Sequence, residues 1–313
     1  MTLALSIIGG LVGLFIGGEL LVRGSSSLAV RFGISPLVVG VVIVGLGTSA
    51  PELVTCIRAA LAGAPGIAVG NIVGSNIANI LLILGAAALM RPFVTSRSAV
   101  LRDGSIVIAT AAAFMLVAFT GEFTRIAGTL FVLALVGYIV FTVRQDRQAS
   151  AAADTPEVPC ASLPLSLLFV AIGLGGVIIG ADLLVSGSVE LASRYGVSEE
   201  VIGLTMVAVG TSLPELATSV IAALKKQSEI ALGNVLGSNI YNAIGITGVT
   251  ALVHPVPVSP TMQFFDIPVM VAVSVLLVIV VATGQRVTRW EGAVLVALYA
   301  GYVAFQAATG SVA

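Results

Sequence analysis

The chain has 313 residues, of which 58% are hydrophobic and only 9% are charged, and its mean hydropathy is +1.13. Soluble domains carry roughly 25% charged residues, so this composition excludes a soluble enzyme and a disordered regulator and predicts an integral membrane protein. The 14 basic and 15 acidic residues nearly cancel, which excludes a nucleic-acid-binding protein.

Long apolar segments occur along the whole chain, and each approaches the ~20 residues that a helix needs to cross a bilayer. They are too continuous for the short alternating strands of a membrane barrel, so we expect helices, which satisfy their own backbone hydrogen bonds. Met1 to Gly18 carries no charge, so the first segment is interpreted as a retained span and not as a signal peptide. The ten predicted spans are 3–22, 36–57, 66–89, 104–121, 123–143, 164–185, 200–222, 230–253, 265–283 and 290–308.

A polar stretch divides these spans into two groups of five. Residues 144–163 contain charged residues and prolines and are predicted to form a flexible cytoplasmic linker. The first five-helix unit is therefore assigned to 1–143 and the second to 164–313.

The two units contain an internal repeat. Residues 17–85 align with 180–248 at a constant offset of 163, and 35 of the 69 aligned pairs are identical. Because each unit has an odd number of spans, the second must be inverted in the membrane relative to the first. The predicted fold is therefore an all-α integral membrane protein with ten transmembrane helices in two inverted-topology five-helix repeats, a common plan of secondary transporters.

The basic residues predict the orientation of the chain, because cytoplasmic loops are enriched in lysine and arginine. With the N-terminus outside, three basic residues face outward, namely Arg58, Arg125 and Arg194. Eleven then lie on the cytoplasmic side, namely Arg23, Arg31, Arg91, Arg97, Arg102, Arg144, Arg147, Lys225, Lys226, Arg286 and Arg289. Both termini are therefore predicted to lie outside the cytoplasm.

Two glutamates follow prolines inside predicted spans, at Glu52 in GTSAPE and at Glu215 in GTSLPE. A proline inside a helix removes a hydrogen bond and obstructs the carbonyl four residues earlier, so both helices should break near the middle of the membrane. Freed backbone carbonyls would then lie beside hydroxyls and a carboxylate. Hard cations such as Ca²⁺ and Na⁺ prefer such an all-oxygen set, whose side chains here are Thr48, Ser49, Glu52, Thr211, Ser212 and Glu215.

A second motif, GNxxGSNxxN, also occurs in both repeats and supplies amides and hydroxyls. Its polar residues recur every four positions and should share one helix face; they are Asn71, Ser75 and Asn79, and Asn234, Ser238 and Asn242. We expect the inverted repeats to bring all four motifs together, where two carboxylates would balance one Ca²⁺. Glu19 and Asp182 are left out of this cluster, because an ion pair of Glu19 with Arg23 or a gating role explains them equally well.

At these residues the sequence resembles the sodium/calcium exchanger family of the cation/Ca²⁺ antiporter superfamily, in its prokaryotic form. The family's two α-repeats correspond to 36–85 and 199–248. The resemblance implies alternating access at a central site, with Na⁺ influx driving Ca²⁺ export. It further implies the following roles: Ca²⁺ carboxylates shared with Na⁺ for Glu52 and Glu215, backbone oxygens for Thr48 and Thr211, flanking Na⁺ sites for Ser49, Ser75, Ser212 and Ser238, and a central position for Asn79.

Asn242 departs from part of that family, in which many prokaryotic and K⁺-dependent members carry aspartate. We therefore expect no K⁺ requirement. The expected substrates are Ca²⁺ and Na⁺ in the lipid bilayer of the cell (plasma or inner) membrane, with no cofactor and no obligatory protein partner.

Other functions stay open at this point. H⁺ could replace Na⁺ as the counter-ion, because the sequence does not reveal the proton affinity of the carboxylates. A cation channel could use the same oxygen ligands, although inverted repeats favour a carrier. An intramembrane hydrolase using Glu52 and Glu215 is disfavoured, because no metal cluster and no Ser/His pair accompanies them.

Overall fold

The computed structural model describes residues 3–94, 97–151, 161–194, 210–284 and 286–309. In the first half of the chain the elements are α1 (Leu3–Phe32), α2 (Pro36–Thr48), α3 (Ala50–Leu61), α4 (Pro65–Met90), β1 (Phe93–Val94), α5 (Arg97–Ala118), β2 (Glu122–Phe123) and α6 (Arg125–Ala151). In the second half they are α7 (Leu163–Arg194), α8 (Leu213–Leu224), α9 (228–253), β3 (Val256–Pro257), α10 (262–284), β4 (Arg286–Val287) and α11 (Arg289–Thr309).

The helical membrane architecture agrees with the sequence, but the count of spans differs. Within the described residues, seven helices are long and apolar enough to cross a membrane, and the bent pair α2–α3 brings the number to eight. The predicted seventh span, 200–222, lies partly outside the described residues, and α8 covers only its second half. The predicted eighth span corresponds to α9, which is helical throughout but is not among the seven helices counted above.

The predicted linker begins later than residue 144. Helix α6 continues to Ala151, so the first part of the 144–163 stretch is helical. The side chain of Asp146 accepts hydrogen bonds from the backbone N–H of Ser35 at 2.5 Å and from its hydroxyl at 2.9 Å, at the start of α2. This contact fixes the end of α6 against α2, which the polarity of the segment alone did not indicate.

Helices α1 and α7 form a close pair because glycines line their contact. A Cβ atom built on Gly17 would lie 2.6 Å from the backbone nitrogen of Val177, and one on Gly173 would lie 2.5 Å from the backbone nitrogen of Leu21. In lipid, where burial of apolar side chains does not drive helix association, small residues permit this close van der Waals packing.

Elements related by the sequence repeat make equivalent contacts. β1 pairs antiparallel with β4, and β2 pairs antiparallel with β3. The strands β1 and β3 are separated by the repeat offset of 163, and β2 and β4 by 164. The contact between α4 and α11 is likewise equivalent to the contact between α9 and α6, and glycines lie at both contacts.

The centre of the molecule is built from α2, α3, α4, α8 and α9, which bury the two sequence motifs. Both motif helices change to a π-helical turn just where the motif ends, at Asn79–Leu84 in α4 and Tyr241–Ile246 in α9. Such turns widen the helix locally and are frequent at functional sites.

Candidate cation site

The backbone leaves helical geometry just before each of the two prolines, as the sequence predicted. Ser49 leaves helical geometry with φ −82° and ψ 5°, α3 then starts with Pro51 in its first turn, and the axes of α2 and α3 differ by 42°. In the second repeat Ser212 has φ −90° and ψ 5°, and Pro214 lies in the first turn of α8. Each break therefore places a serine at the interruption and a glutamate in the first turn of the following helix.

The two carboxylates are buried and are held by the opposite repeat. Glu52 is 1% exposed and Glu215 is 2% exposed. The hydroxyl of Ser49 donates to Oε1 of Glu215 at 3.0 Å, and the hydroxyl of Ser212 donates to Oε1 of Glu52 at 3.4 Å. Each glutamate is thus positioned by the serine at the other break, which brings the two GTSxPE motifs together.

The threonines of the same motifs cross to the asparagines of the second motif. The hydroxyl of Thr48 donates to Oδ1 of Asn234 at 3.1 Å and lies 3.0 Å from the carbonyl oxygen of Val44. In the related position, the hydroxyl of Thr211 donates to Oδ1 of Asn71 at 3.3 Å. Both threonine hydroxyls are therefore directed to an asparagine of the opposite repeat, which joins the two kinds of motif.

The other predicted site residues belong to α4 and α9. The hydroxyls of Ser75 and Ser212 are 3.3 Å apart, while Ser238, Asn79 and Asn242 are buried. Several buried oxygens in this cluster have no hydrogen-bond partner among the described residues, namely Glu52 Oε2, Glu215 Oε2, Ser238 Oγ, Asn79 Oδ1 and Asn242 Oδ1. Buried polar atoms are rarely left in this state, and oxygens are the atoms through which a hard cation is bound.

Within the part of the chain that the structure describes, no basic side chain is ion-paired with the two carboxylates. The ion pairs found there are Arg102–Asp103, Glu190–Arg194 and Glu19–Lys225, and none involves the cluster. The same residues contain no group of three His, Cys, Asp or Glu side chains that could hold a metal ion. The donor set is two carboxylates with neutral hydroxyl and amide oxygens, which suits a hard cation better than a transition metal.

Sequence reasoning did not identify the residues that support the asparagines. The amide nitrogen of Asn234 donates to the hydroxyl of Ser219 at 2.9 Å and to the carbonyl oxygen of Glu215 at 3.3 Å. In the first repeat the amide nitrogen of Asn71 donates to the sulfur of Cys56 at 3.3 Å. Cys56 and Ser219 are related by the repeat offset, and this relation was the signal available in the sequence.

The two acidic residues left out of the cluster lie away from it. Glu19 forms an ion pair with Lys225 of α8 at 2.7 Å and not with Arg23, as the i,i+4 spacing had suggested. The guanidinium of Arg23 instead lies 5.2 Å from the ring centre of Phe169. Asp182 is exposed on α7.

Comparisons with known proteins support one family over nearly the whole chain. Residues 2–144 and 165–308 match the family model of the sodium/calcium exchanger protein. The chain is 34% identical over 334 residues to the sodium/calcium exchanger MaX1 of Methanosarcina acetivorans, covering 94% of this chain and 95% of that one. It is 35% identical over 281 residues to the inner membrane protein YrbG of Escherichia coli, covering 87% and 86%.

A solved structure has the same fold. The sodium-calcium exchanger NCX_Mj, soaked with 2.5 mM Na⁺ and 0.1 mM Ca²⁺, is 33% identical, with a TM-score of 0.83 and 96% of each chain covered. The resemblance indicated by the two repeated motifs is therefore confirmed.

Proposed function

The chain belongs to the sodium/calcium exchanger family, and from that premise we propose that it is a secondary antiporter that exchanges Na⁺ for Ca²⁺ across the cell membrane. The observation that best supports this function is the pair Glu52 and Glu215, buried together without a basic partner among the described residues. Two uncompensated carboxylates in a membrane protein mark an ion pathway, since burying their charge is otherwise costly.

We assign the ligands from the carboxylate oxygens that the protein leaves free and from the roles that the family resemblance implies. Glu52 and Glu215 would bind Ca²⁺ through the carboxylate oxygens that have no partner within the described residues, and the same oxygens would bind Na⁺ when it replaces Ca²⁺. The hydroxyls of Thr48 and Thr211 are directed to asparagines, and the family resemblance favours their backbone carbonyls as ligands. The remaining proposed ligands are Ser49, Ser75, Ser212, Ser238, Asn79 and Asn242.

Alternating access around this cluster is the proposed mechanism. The equivalent strand pairs β1–β4 and β2–β3, together with the cross-repeat hydrogen bonds, support two structurally related halves that rock about a shared site. Ten spans with both termini outside, as the basic residues favour, would give these halves opposite orientations.

K⁺ independence is a separate proposal. Its support is Asn242, a neutral side chain that is 1% exposed, so that the proposed ligand set keeps two negative charges and not three. Two charges match one Ca²⁺ without a further monovalent cation.

Flux through proteoliposomes tests the function. Vesicles loaded with Na⁺ and diluted into Na⁺-free medium should accumulate radioactive Ca²⁺, because the outward Na⁺ gradient supplies the driving force. Uptake should persist when K⁺ is absent from both sides. Vesicles without a Na⁺ gradient and vesicles with Glu52→Gln or Glu215→Gln should show none.

Two other results would select the alternative functions. Uptake that follows a pH gradient and ignores the Na⁺ gradient would identify H⁺ as the counter-ion. Currents far above the turnover of a carrier would identify a channel. A K⁺ requirement in the wild-type protein would contradict the argument from Asn242.

A further inference from the structure

A buried carboxylate without a basic partner among the described residues lies outside the central cluster, at Asp266 in the first part of α10. Its side chain is 2% exposed, and its Oδ1 atom accepts hydrogen bonds from the hydroxyl of Tyr302 at 3.0 Å and from the amide nitrogen of Gln306. The Oδ2 atom has no hydrogen-bond partner among the described residues. None of these three residues belongs to the ligands proposed above.

The first repeat contains a corresponding aspartate, but that aspartate is paired with an arginine. Asp103 precedes Asp266 by the repeat offset of 163, and Tyr138 precedes Tyr302 by 164. Asp103 is fully buried, but the guanidinium of Arg102 donates to both of its oxygens, at 2.9 and 2.8 Å. The residue related to Arg102 is Phe265, so the second repeat lacks this cation.

No other charge in the described part of the chain compensates Asp266. Helices α4 and α10 contain no basic residue, and the charged residues of α11, Arg289 and Glu291, lie at its opposite end from Tyr302. The titratable group in contact with Asp266 is Tyr302, and Tyr299 lies about one turn earlier on α11. Helix α5 contacts α10 as well, but its Arg102 and Asp103 lie next to Gly104, which packs against Val278, about three turns from Asp266. Glu122 and Arg125, which follow α5 at the near end, are not ion-paired with Asp266.

We propose that Asp266, with Tyr302 and Gln306, is a proton-binding site, in which the carboxyl group carries an exchangeable proton on Oδ2. An ionised carboxylate without a counter-charge is far more costly to bury than a neutral carboxylic acid. The two donors on Oδ1 fix the orientation of the group and leave Oδ2 as the atom that takes the proton. In the first repeat, the positive charge of Arg102 takes the place of this proton and neutralises Asp103 permanently.

The contacts favour a proton over a metal cation. Hard metal cations need several oxygen ligands, as the all-oxygen set of the central cluster offers. Here Oδ1 is already occupied by two donors, and the amide of Gln306 presents its nitrogen, leaving Oδ2 of Asp266 as the available oxygen. A proton needs only that one lone pair.

The site is one helical turn from a residue that contacts α4. Met270 follows Asp266 by four positions, and its sulfur lies 3.3 Å from the amide nitrogen of Asn76. Asn76 is the neighbour of Ser75 in the central cluster. Met270 and Asn76 thus connect the helix turn after Asp266 to the central cluster, while Asp266 itself supplies none of the proposed ligands.

Infrared spectroscopy of the purified full-length protein tests this inference without any transport measurement. The difference spectrum of wild type minus Asp266→Asn at neutral pH should contain the carbonyl stretch of a protonated carboxylic acid, which moves on transfer to D₂O and disappears at alkaline pH. The difference spectrum of wild type minus Asp103→Asn should contain only ionised carboxylate bands, since Arg102 holds that group charged.

Thermal unfolding of the same proteins provides an independent readout. Asparagine resembles a protonated aspartate, so Asp266→Asn should unfold within about 2 °C of wild type at neutral pH. At alkaline pH, Asp266→Asn should lose less stability than wild type does. Asp103→Asn should unfold several degrees below wild type at neutral and at alkaline pH. An ionised carboxylate band for Asp266 at neutral pH would overturn the proposal. So would stabilisation of the wild type by Na⁺ over choline that Asp266→Asn abolishes, because it would identify a metal cation as the ligand.

Discussion

At the scale of single residues, the cluster is organised by hydrogen bonds that cross between the repeats. Serine hydroxyls bind the glutamates of the opposite half, and threonine hydroxyls bind the asparagines of the opposite half. Each carboxylate therefore depends on both halves for its position. A cation held there would contact groups whose geometry changes when one half moves relative to the other.

The bond between Thr48 and Asn234 gives a prediction. Thr48→Val keeps the shape of the side chain but leaves the buried amide oxygen of Asn234 without its donor, which costs ~1–3 kcal/mol. Asn234 also binds the backbone carbonyl of Glu215, so the loss should reach the carboxylate. The Ca²⁺ concentration for half-maximal uptake should rise by about tenfold, which corresponds to ~1.4 kcal/mol.

Thr48→Ser is the matched control, because it retains the hydroxyl and should behave nearly as wild type in the same uptake assay. Unchanged Ca²⁺ dependence in Thr48→Val would show that this hydroxyl does not position the site.

Much of this residue-level picture could be predicted from the sequence. Duplicated GTSxPE motifs with acidic residues after proline indicated both the helix breaks and the cluster, because proline geometry is local. The pairing of Thr48 with Asn234 could not be predicted, because it depends on how α2 and α9 approach each other. The isolated Asp266 was not singled out, since its environment is built by α11 at the far end of the chain.

At the scale of elements, the contact of α1 with α7 depends on glycines, which have no side chain to hold the two helices apart. Gly173 faces the backbone of Leu21, whereas a Cβ atom placed on Gly175, two residues later on the same helix, would have no neighbouring atom within 4 Å. The two glycines therefore allow one helix contact to be tested with an internal control.

Gly173→Ala should separate α1 from α7, because the added methyl group would lie 2.5 Å from a backbone nitrogen, a distance that flexible side chains cannot relieve. The melting temperature in detergent should fall by several degrees, and Na⁺-driven uptake should decrease with it. Gly175→Ala should be neutral or slightly stabilising, since alanine is favoured over glycine in helices by ~1 kcal/mol. Equal behaviour of the two variants would contradict the packing described here.

Element boundaries were predicted less well than element identities. The spans near 3–22 and 164–185 were expected to end earlier than α1 at Phe32 and α7 at Arg194, because hydropathy stops at the membrane surface while a helix need not. The extension of α6 to Ala151 has the same origin. π-Helical turns such as Asn79–Leu84 have no simple sequence signature and follow from packing around the cluster.

At the scale of the whole molecule, the duplication in the sequence was the most informative feature. A constant offset over 69 positions predicted two related halves, and the strand pairs and glycine contacts recur at matching positions in the structure. Ion selectivity could not be derived in the same way, because Na⁺, Ca²⁺ and H⁺ can all use carboxylate oxygens. The family comparison favours Na⁺ and Ca²⁺ among these three ions, and binding measurements would identify which ions the protein binds.

The central claim is that Na⁺ and Ca²⁺ share one site built on Glu52 and Glu215. Calorimetric titration of purified protein with Ca²⁺ at increasing Na⁺ concentration and constant ionic strength tests it most directly. Na⁺ should raise the apparent Kd for Ca²⁺ competitively. Glu52→Gln and Glu215→Gln should each weaken Ca²⁺ binding by about a hundredfold or more, because a buried charge partner is removed. Ca²⁺ binding that is indifferent to Na⁺, or that survives both substitutions, would contradict it.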